Sequence, residues 1–589
     1  MLGSLVRYAR SHGLVAEPGF APKVIRWGLV CDADGQFLQV LPLAEDPKSP
    51  GLTFRQCPEL SQPEIKRGGP GCRHFLADSA DVVTLLTDGE PNAKLLAKHA
   101  YFTGLLRQAA AALPVLAGIA DALEDPDVLA EIRSQLQARK AKPTDKVTFS
   151  VLGASPPYLV DSELWHDWWR RFRRGLAPPR KAAAGPAAAL ARCLASGELV
   201  EPAPTHPKIA GLADVGGLAM GDVVAAFKQE SFCSYGLTQA ANAPVSEEIA
   251  AEYRAALNHL LREESRRLAG VKVVHWFKSR IPREDDPLAF LTDEATEEAD
   301  AQQRAWELLR ALQTGARPDL LDNRYFILAL SGASGRVMIR DWIEGQFEEL
   351  ARNVDRWFSD LAIVRRDGNG RARPPKLLAV LGALVRDLDE LPPALQAALW
   401  HAAVRQRRLP RQAMARALAR FKVDAVTGQS LNHARVGLLK AFLIREGDLA
   451  MQPNLNEGHP DPAYHCGRLL AMLAALQYRA LGDVGAGVVQ RYYAAASATP
   501  ALVLGRLVRT AQFHLDKLDR GLARWHEGRI ADTFGRIEQA IPATLSLERQ
   551  TVFALGYYQQ IAADRASTKT AAAGASETPD ADSQETDHV

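Results

Sequence analysis

The spacing of apolar residues changes character near Asp341. Before that point, short β-prone runs are separated by turn signals. Val24 to Cys31 and Gln36 to Leu43 flank Asp32-Ala-Asp-Gly35, which predicts a hairpin with a four-residue turn. Val147 to Leu152, Val271 to Phe277 and Tyr325 to Leu330 read as strands, and Ser331-Gly-Ala-Ser-Gly335 turns the last into Arg336 to Trp342 as a second hairpin. Met1 to Ser11, Ala93 to Leu113 and Pro126 to Ala141 have helical period. After Asp341 almost every segment favours helix: Glu344 to Leu361, Leu377 to Leu388, Pro393 to Val404, Arg411 to Phe421, His433 to Ile444, Tyr464 to Leu481, Val488 to Ala496, Gly528 to Ile541 and Ser546 to Ala563. The predicted fold class is α+β, with a mixed α/β N-terminal half and a mostly helical C-terminal half ending in a four-helix bundle.

One predicted helix, Ala501 to Trp525, has an oily face and a cationic face. At about 100° per residue, Arg506, Arg509, Phe513, Lys517, Arg520 and Arg524 fall within roughly an 80° sector. Leu504, Leu507, Val508, Ala511, Leu515, Leu518 and Leu522 lie opposite, with Thr499 placed as N-cap and Pro500 at the first helical position. Such a stripe suits a polyanion tracked along its length, with the aromatic stacking on a base. The same pattern also describes a solvated face of an ordinary bundle helix.

A chain of 589 residues exceeds a single core. The segments group as 1–155, a mixed α/β domain; 156–343, a second mixed region; 344–450, helical; 451–565, the bundle; and 566–589, a tail of Ala, Ser, Thr, Asp and Glu expected to be disordered. Net charge is only +2, so a polyanion site has to be local. Cationic clusters at Trp168 to Arg174, Arg365 to Lys376 and Arg405 to Lys422 stand out from that background. The six cysteines are scattered, with no C-x-x-C pair, which argues against a zinc ribbon or a disulfide framework and fits a cytoplasmic protein. Arg7 and Arg10 interrupt the first apolar run, so no secretory leader is expected, and no apolar stretch reaches the ~18–20 residues that a membrane span needs.

The common catalytic signatures are missing. Gly68-Gly-Pro-Gly71 lacks the Lys-Ser/Thr ending of a phosphate-binding Walker loop, and there is neither a G-x-S-x-G elbow nor an H-E-x-x-H helix. His166-Asp167 is a lone pair, the one seed for a rival reading as a metal-dependent nuclease. A second rival is a helical scaffold whose cationic face meets an acidic protein. No cofactor, metal or catalytic residue is assigned. Gly68, Gly69 and Gly71 beside Lys66 and Arg67 let backbone approach a phosphate or a groove wall closely; an ordinary Gly/Pro turn accounts for them too.

Several blocks resemble one family, the large subunit of the type I-C CRISPR Cascade surveillance complex. They are Leu5-Val-Arg-Tyr8 with the hairpin after Trp27; Ala191 to Gly197 with His206-Pro-Lys-Ile209; Ser231 to Gly236 with Asn242 to Glu247; Ser334 to Trp342; Asp461 to Leu469; and Arg491-Tyr-Tyr with Ser497 to Pro500. Where the family commonly carries an asparagine near Phe75, this chain has His74. The resemblance implies a non-catalytic subunit that recognises a protospacer-adjacent motif in double-stranded target DNA, largely from the minor groove. It further implies that the subunit steadies the displaced single strand and docks a helicase–nuclease. The implied partners are the other Cascade subunits with their CRISPR guide RNA, and separately translated copies of its own C-terminal bundle, for which Met451 is a plausible internal start. On this reading the loop at Lys66 to His74 reads the motif, and the stripe from Arg506 to Arg524 holds the displaced strand.

Overall fold

Asp32 sets the first hairpin. Its carboxylate accepts hydrogen bonds from the backbone N–H of Asp34 (3.0 Å) and Gln36 (2.8 Å), and Gly35 adopts φ +88°. The computed structural model describes residues 1–14, 17–44, 49–176, 190–227, 229–232, 237, 239–268, 270–293, 298–537 and 540–576. It is 52% helix and 14% strand, an α+β fold. The chain divides into two compact units, Met1–Lys278 with Ile327–Ile343, and Ser279–Phe326 with Glu344–Val589. The divisions expected at 155 and 450 fall inside units.

In the first unit, β1 (Phe20–Ile25) pairs antiparallel with β4 (Leu52–Pro58). A second sheet has the order β3-β2-β6-β5, from β2 (Trp27–Cys31), β3 (Phe37–Pro42), β5 (Asp78–Ser79) and β6 (Lys146–Val151). The run Val24 to Cys31, expected as one strand, is therefore two strands in different sheets, broken at Arg26, whose N–H is taken by the Lys146 carbonyl. Helices α1 (Leu2–Ser11), α2 (Gln62–Arg67), α3 (Ala80–Thr84), α4 (Ala93–Ala109), α5 (Val115–Glu124), α6 (Pro126–Ala138), α7 (His166–Leu176) and α8 (Glu247–Glu263) complete this part. Trp165 and Trp169 are fully buried in the same core as Phe75, Phe102 and Phe149. Helix α1 instead packs on α8.

Two short strands, β7 (Ala191–Arg192) and β8 (Leu199–Val200), form their own hairpin. The largest sheet runs β11-β12-β13-β14-β10-β9, from β9 (Lys208–Ile209), β10 (Asp222–Val223), β11 (Arg266–Leu268), β12 (Val271–Phe277), β13 (Arg324–Ala333) and β14 (Arg336–Gln346). The β13–β14 turn has positive φ at both Ser334 (+48°) and Gly335 (+84°), the backbone sense that a tight hairpin requires.

The second unit is helical: α9 (Pro287–Thr292), α10 (Glu298–Gln313), α11 (Pro318–Leu321), α12 (Phe347–Leu361), α13 (Leu377–Gly382), α14 (Pro393–Arg405), α15 (Arg411–Thr427), α16 (His433–Arg445), α17 (Pro462–Leu481), α18 (Val488–Ala498), α19 (Pro500–Leu515), α20 (Arg520–Gly535) and α21 (Leu547–Ser576). Helix α17 packs against each of α18 to α21, which gives the chain the helical bundle expected at its C-terminal end. The tail was expected to lose structure from about residue 566. Helix α21 instead continues to Ser576, along alanines that favour helix most strongly, and residues 577–589 of that tail lie outside the described residues. Among the described residues, no helix is long and apolar enough to cross a membrane.

Candidate nucleic-acid interface

The cationic segment is two helices rather than one. Helix α19 ends at Leu515, and Asp519 caps α20, its carboxylate accepting the Leu522 N–H at 2.9 Å. A short polar side chain flanked by leucines gives the backbone a better local partner than the helix would, so the chain restarts there. Arg506, Arg509 and Phe513 stay on one face of α19, Lys517 sits in the connecting turn, and Arg520 and Arg524 move to α20. Thr499 occupies the N-cap position, but its hydroxyl donates to the Ala495 carbonyl instead of capping α19.

The division of faces nevertheless holds along α19. Leu504, Leu507, Ala511 and Leu515 are buried against α17 and α18, while Arg506, Arg509, Phe513, Lys517, Arg520 and Arg524 are all exposed. Phe513 is 70% exposed. Among the described residues, none of these five cations has an ion-pair partner. On α20, the Arg529 guanidinium lies 4.5 Å from the Trp525 ring centroid and pairs with Asp564, so a second half-exposed aromatic stands beside Arg524.

The glycine loop of the first unit turns out to be packed rather than open. Helix α2 carries Lys66 and Arg67, both exposed and without ion-pair partners among the described residues. Gly68 caps the helix, and a Cβ on it would collide with Cys72; a Cβ on Gly71 would lie 2.5 Å from the Ala97 carbonyl of α4. Only Gly69, at φ +89° with open space around it, fits the exposed turn that was expected. His74 serves the fold. Its Nδ1 accepts the Leu60 N–H at 3.2 Å, and burial, with Lys23 close by, lowers its pKa to about 3, so the ring is neutral. Lys23 itself is buried, donating from Nζ to the carbonyls of Pro58 (2.7 Å) and Ala77 (3.3 Å).

Lys66 and Arg67 line a groove of about 710 Å³ that also includes Lys208, Arg173 and Arg254, whereas Gly68, Gly69, Gly71 and His74 do not. Two of the added cations are neutralised. Arg173 pairs with Glu64 (2.8 Å) and Glu247 (2.7 Å), and Arg254 holds Glu59 through both guanidinium nitrogens. Burial pushes the Glu59 carboxyl up, but Arg254 pulls it further down, to about 2. Among the described residues, the free positive charge of the groove is therefore at its Lys66–Arg67 rim and at Lys208. Sequence reasoning missed Lys208 and Arg254 because their neighbours in the fold are distant in the chain.

Within the cluster Trp168 to Arg174, the aromatics and Arg170 serve the fold, while Arg171 and Arg174 are exposed. Phe172 stacks on Trp168 and Trp169, and Arg170 pairs with Glu17 (2.6 Å) and Asp167 (2.8 Å). His166 is buried against Phe20 and Trp165, while the Asp167 side chain is 85% exposed. The two point into different environments and share no site. Among the described residues, no group of three or more His, Cys, Asp or Glu is placed to hold a metal ion.

A family model described as CRISPR-associated protein (Cas_Csd1) matches residues 5–564. The chain belongs to the Cas_Csd1 family. It is thus a CRISPR-associated protein of Cascade type, a member of a complex with other Cas subunits. No curated protein matches the chain. The blocks that carried the resemblance are largely architectural. His206 is buried, with Nδ1 to the Tyr253 hydroxyl (2.8 Å) and Nε2 to the Ala243 carbonyl (2.9 Å), and Ser246 caps α8. Within Asp461 to Leu469, Arg468 is buried, donating from Nε to Gln560 on α21 (2.9 Å) and from a terminal nitrogen to Glu457 (3.0 Å). Residues 233–236 of the Ser231 block lie outside the described residues.

Proposed function

We propose that this protein is the large subunit of a type I-C Cascade surveillance complex, a non-catalytic cytoplasmic subunit that recognises a protospacer-adjacent motif in double-stranded target DNA. In this reading it also steadies the displaced strand, works beside guide-RNA-bearing subunits and separately translated copies of its own C-terminal bundle, and recruits a helicase–nuclease. The observation that carries the reading is the α19–α20 segment, where Arg506, Arg509 and Lys517 accompany an exposed Phe513 over a leucine-backed helix and Arg520 and Arg524 follow on α20, all five cations exposed and without ion-pair partners among the described residues. Elsewhere the chain answers many of its arginines with carboxylates. A face left unanswered suits a ligand that brings its own negative charge.

Replacing a DNA duplex by a guide–target hybrid is close to neutral in free energy, so contacts to the freed strand can tip the balance. Each single-strand phosphate neutralised contributes a salt slope of about −0.7, and a stacked base roughly 1–3 kcal/mol. For the duplex, Lys66 and Arg67 at the groove rim suit phosphate contacts that set register. The minor groove distinguishes mainly A·T from G·C, which exposed backbone near Gly69 suffices to read.

The test uses the assembled, guide-loaded complex carrying Arg509→Glu and Lys517→Glu. R-loop formation should weaken with a shallower salt dependence, while preference for the motif is kept. Wild-type R-loop stability in that variant would remove the stripe from the account.

A further inference from the structure

The Arg365 to Lys376 cluster, which the proposed function leaves unused, builds a cavity of its own in the second unit. Residues 363–372 fold back as a small hairpin: the Arg365 N–H donates to the Gly370 carbonyl (3.0 Å), the Ala372 N–H to the Ile363 carbonyl (2.7 Å), and Val364 bridges to Arg371. The hairpin is pinned on every side. The Tyr558 hydroxyl donates to the Val364 carbonyl (2.8 Å), the Val364 N–H to the Pro453 carbonyl (3.0 Å), and the Arg366 N–H to Nε2 of His433 (3.2 Å). Gly368 at its tip, at φ +77°, sits against the α21 backbone at Ala562 too closely to admit a Cβ.

This scaffold holds Arg365, Arg371 and Arg373 around a space of about 510 Å³, closed on another side by Asn432 and His433 at the start of α16. Arg371 and Arg373 are exposed with Ala372 buried between them, so they share one face of an extended chain. Neither has an ion-pair partner among the described residues, and Arg365 alone is offset, by Asp367 at 3.2 Å. No carboxylate lines the cavity, whereas the groove of the first unit has three. The Asn432 side-chain oxygen accepts the Arg435 N–H (3.1 Å) at the start of α16, a helix end whose first N–H groups have no partner within the helix.

We propose that this cavity seats a phosphate of a single-stranded polynucleotide, one nucleotide unit lying in it. Three arginines and a helix N-terminus lining one open concavity match a phosphate's several oxygens better than scattered lysines would. The volume lies within the range of pockets that hold small organic molecules, and a flexible strand can present one unit into it while a stiff duplex cannot. The inference rests on the proposed function, since it adds a second grip on the same kind of strand.

The test is fluorescence anisotropy of a labelled oligothymidylate with the full chain over a range of salt, comparing wild type, Arg371→Ala/Arg373→Ala, and Arg509→Glu/Lys517→Glu. Both cavity arginines are exposed and unpaired, so that variant should melt as wild type does. It should bind roughly tenfold more weakly, with a log–log salt slope shallower by about 0.7 per phosphate released. Unchanged affinity and slope, with the stripe variant weakened, would overturn the cavity and leave the proposed function standing. Failure of the wild-type chain to bind the oligonucleotide, alone or within a guide-loaded complex, would overturn both. Adenosine monophosphate should compete poorly, because a strand brings further phosphates to neighbouring cations; complete displacement by it would assign the cavity to a free nucleotide and overturn the strand proposal.

Discussion

Gly556 of α21 lies directly on the backbone of Tyr464 in α17, so close that a Cβ at 556 would fall inside contact distance of the Tyr464 carbonyl oxygen. Gly467 makes the reciprocal approach to Phe553, so the two longest helices of the bundle cross backbone against backbone. Gly556→Ala should force them apart and cost about 1–3 kcal/mol, as overpacking of a tight core does. Gly505 on exposed α19 has nothing within 4 Å of its virtual Cβ. There the same substitution should stabilise by about 0.5–1 kcal/mol through helix propensity. Urea denaturation of the two variants should therefore shift in opposite directions.

His74 gives a signature in acid. Its folded pKa of about 3 lies below the model-compound value of 6.5, so the unfolded chain takes up a proton that the folded one refuses. Stability contributed at this site is complete above pH 6.5 and is lost as pH falls toward 3, by up to about 1.4 kcal/mol per pH unit. His74→Asn keeps an acceptor for the Leu60 N–H and does not titrate. Melting temperatures of wild type and variant should agree near neutrality and separate below pH 6, with the variant falling less steeply.

Lys440 is buried in α16, and burial lowers its pKa to about 8, with Asp360 opposing the shift and Arg371 adding to it. The unfolded chain holds this proton more tightly than the folded one between pH 8 and 10.5, so the penalty of keeping lysine there is full below pH 8 and fades by 10.5. Lys440→Met should raise stability at neutral pH by about 1–3 kcal/mol. Asp360 keeps Arg445 at 2.7 Å in that variant, so no carboxylate is orphaned. Thermal melts at pH 7 and pH 10 should show the gain shrinking; an equal gain at both would mean that the ammonium is not the cost.

A fragment beginning at Met451 would lose α15 and α16. Those helices cover Tyr493, which packs on Phe421 at 5.9 Å between centroids, and Tyr558, which meets His433 at 6.4 Å and donates to Val364. The isolated fragment should expose this aromatic face, bind a hydrophobic dye and self-associate in sedimentation. A fragment beginning before the hairpin at Ile363 should do neither to the same degree.

Much of the α+β architecture was legible because local patterns agreed with it. Val271 to Phe277 is a strand as read, and the helices expected at Arg411, His433, Tyr464, Val488 and Ser546 begin within two residues of those positions, helped by proline, asparagine and aspartate caps that act locally, whereas the helix expected at Gly528 begins at Arg520, where Asp519 caps it. Two local signals misled. Val24 to Cys31 looks continuous, yet Arg26 gives its N–H to a strand that arrives some 120 residues later. The helical period from Ala501 to Trp525 survives the break at Asp519, because apolar spacing carries no information about which polar side chain will capture a backbone N–H.

By itself the sequence determined the helix faces, the hairpin turns and the exposed cations of α19 and α20, because each depends on neighbours within a turn or two of chain. Only the tertiary structure decided which charges are free. Arg170 and Arg173 of α7 and Arg254 are answered by Glu17, Glu59, Glu64 and Glu247, whereas among the described residues Arg371 and Arg373 pair with no carboxylate. Electrostatic pairing follows distance in space, and chain separation does not encode it.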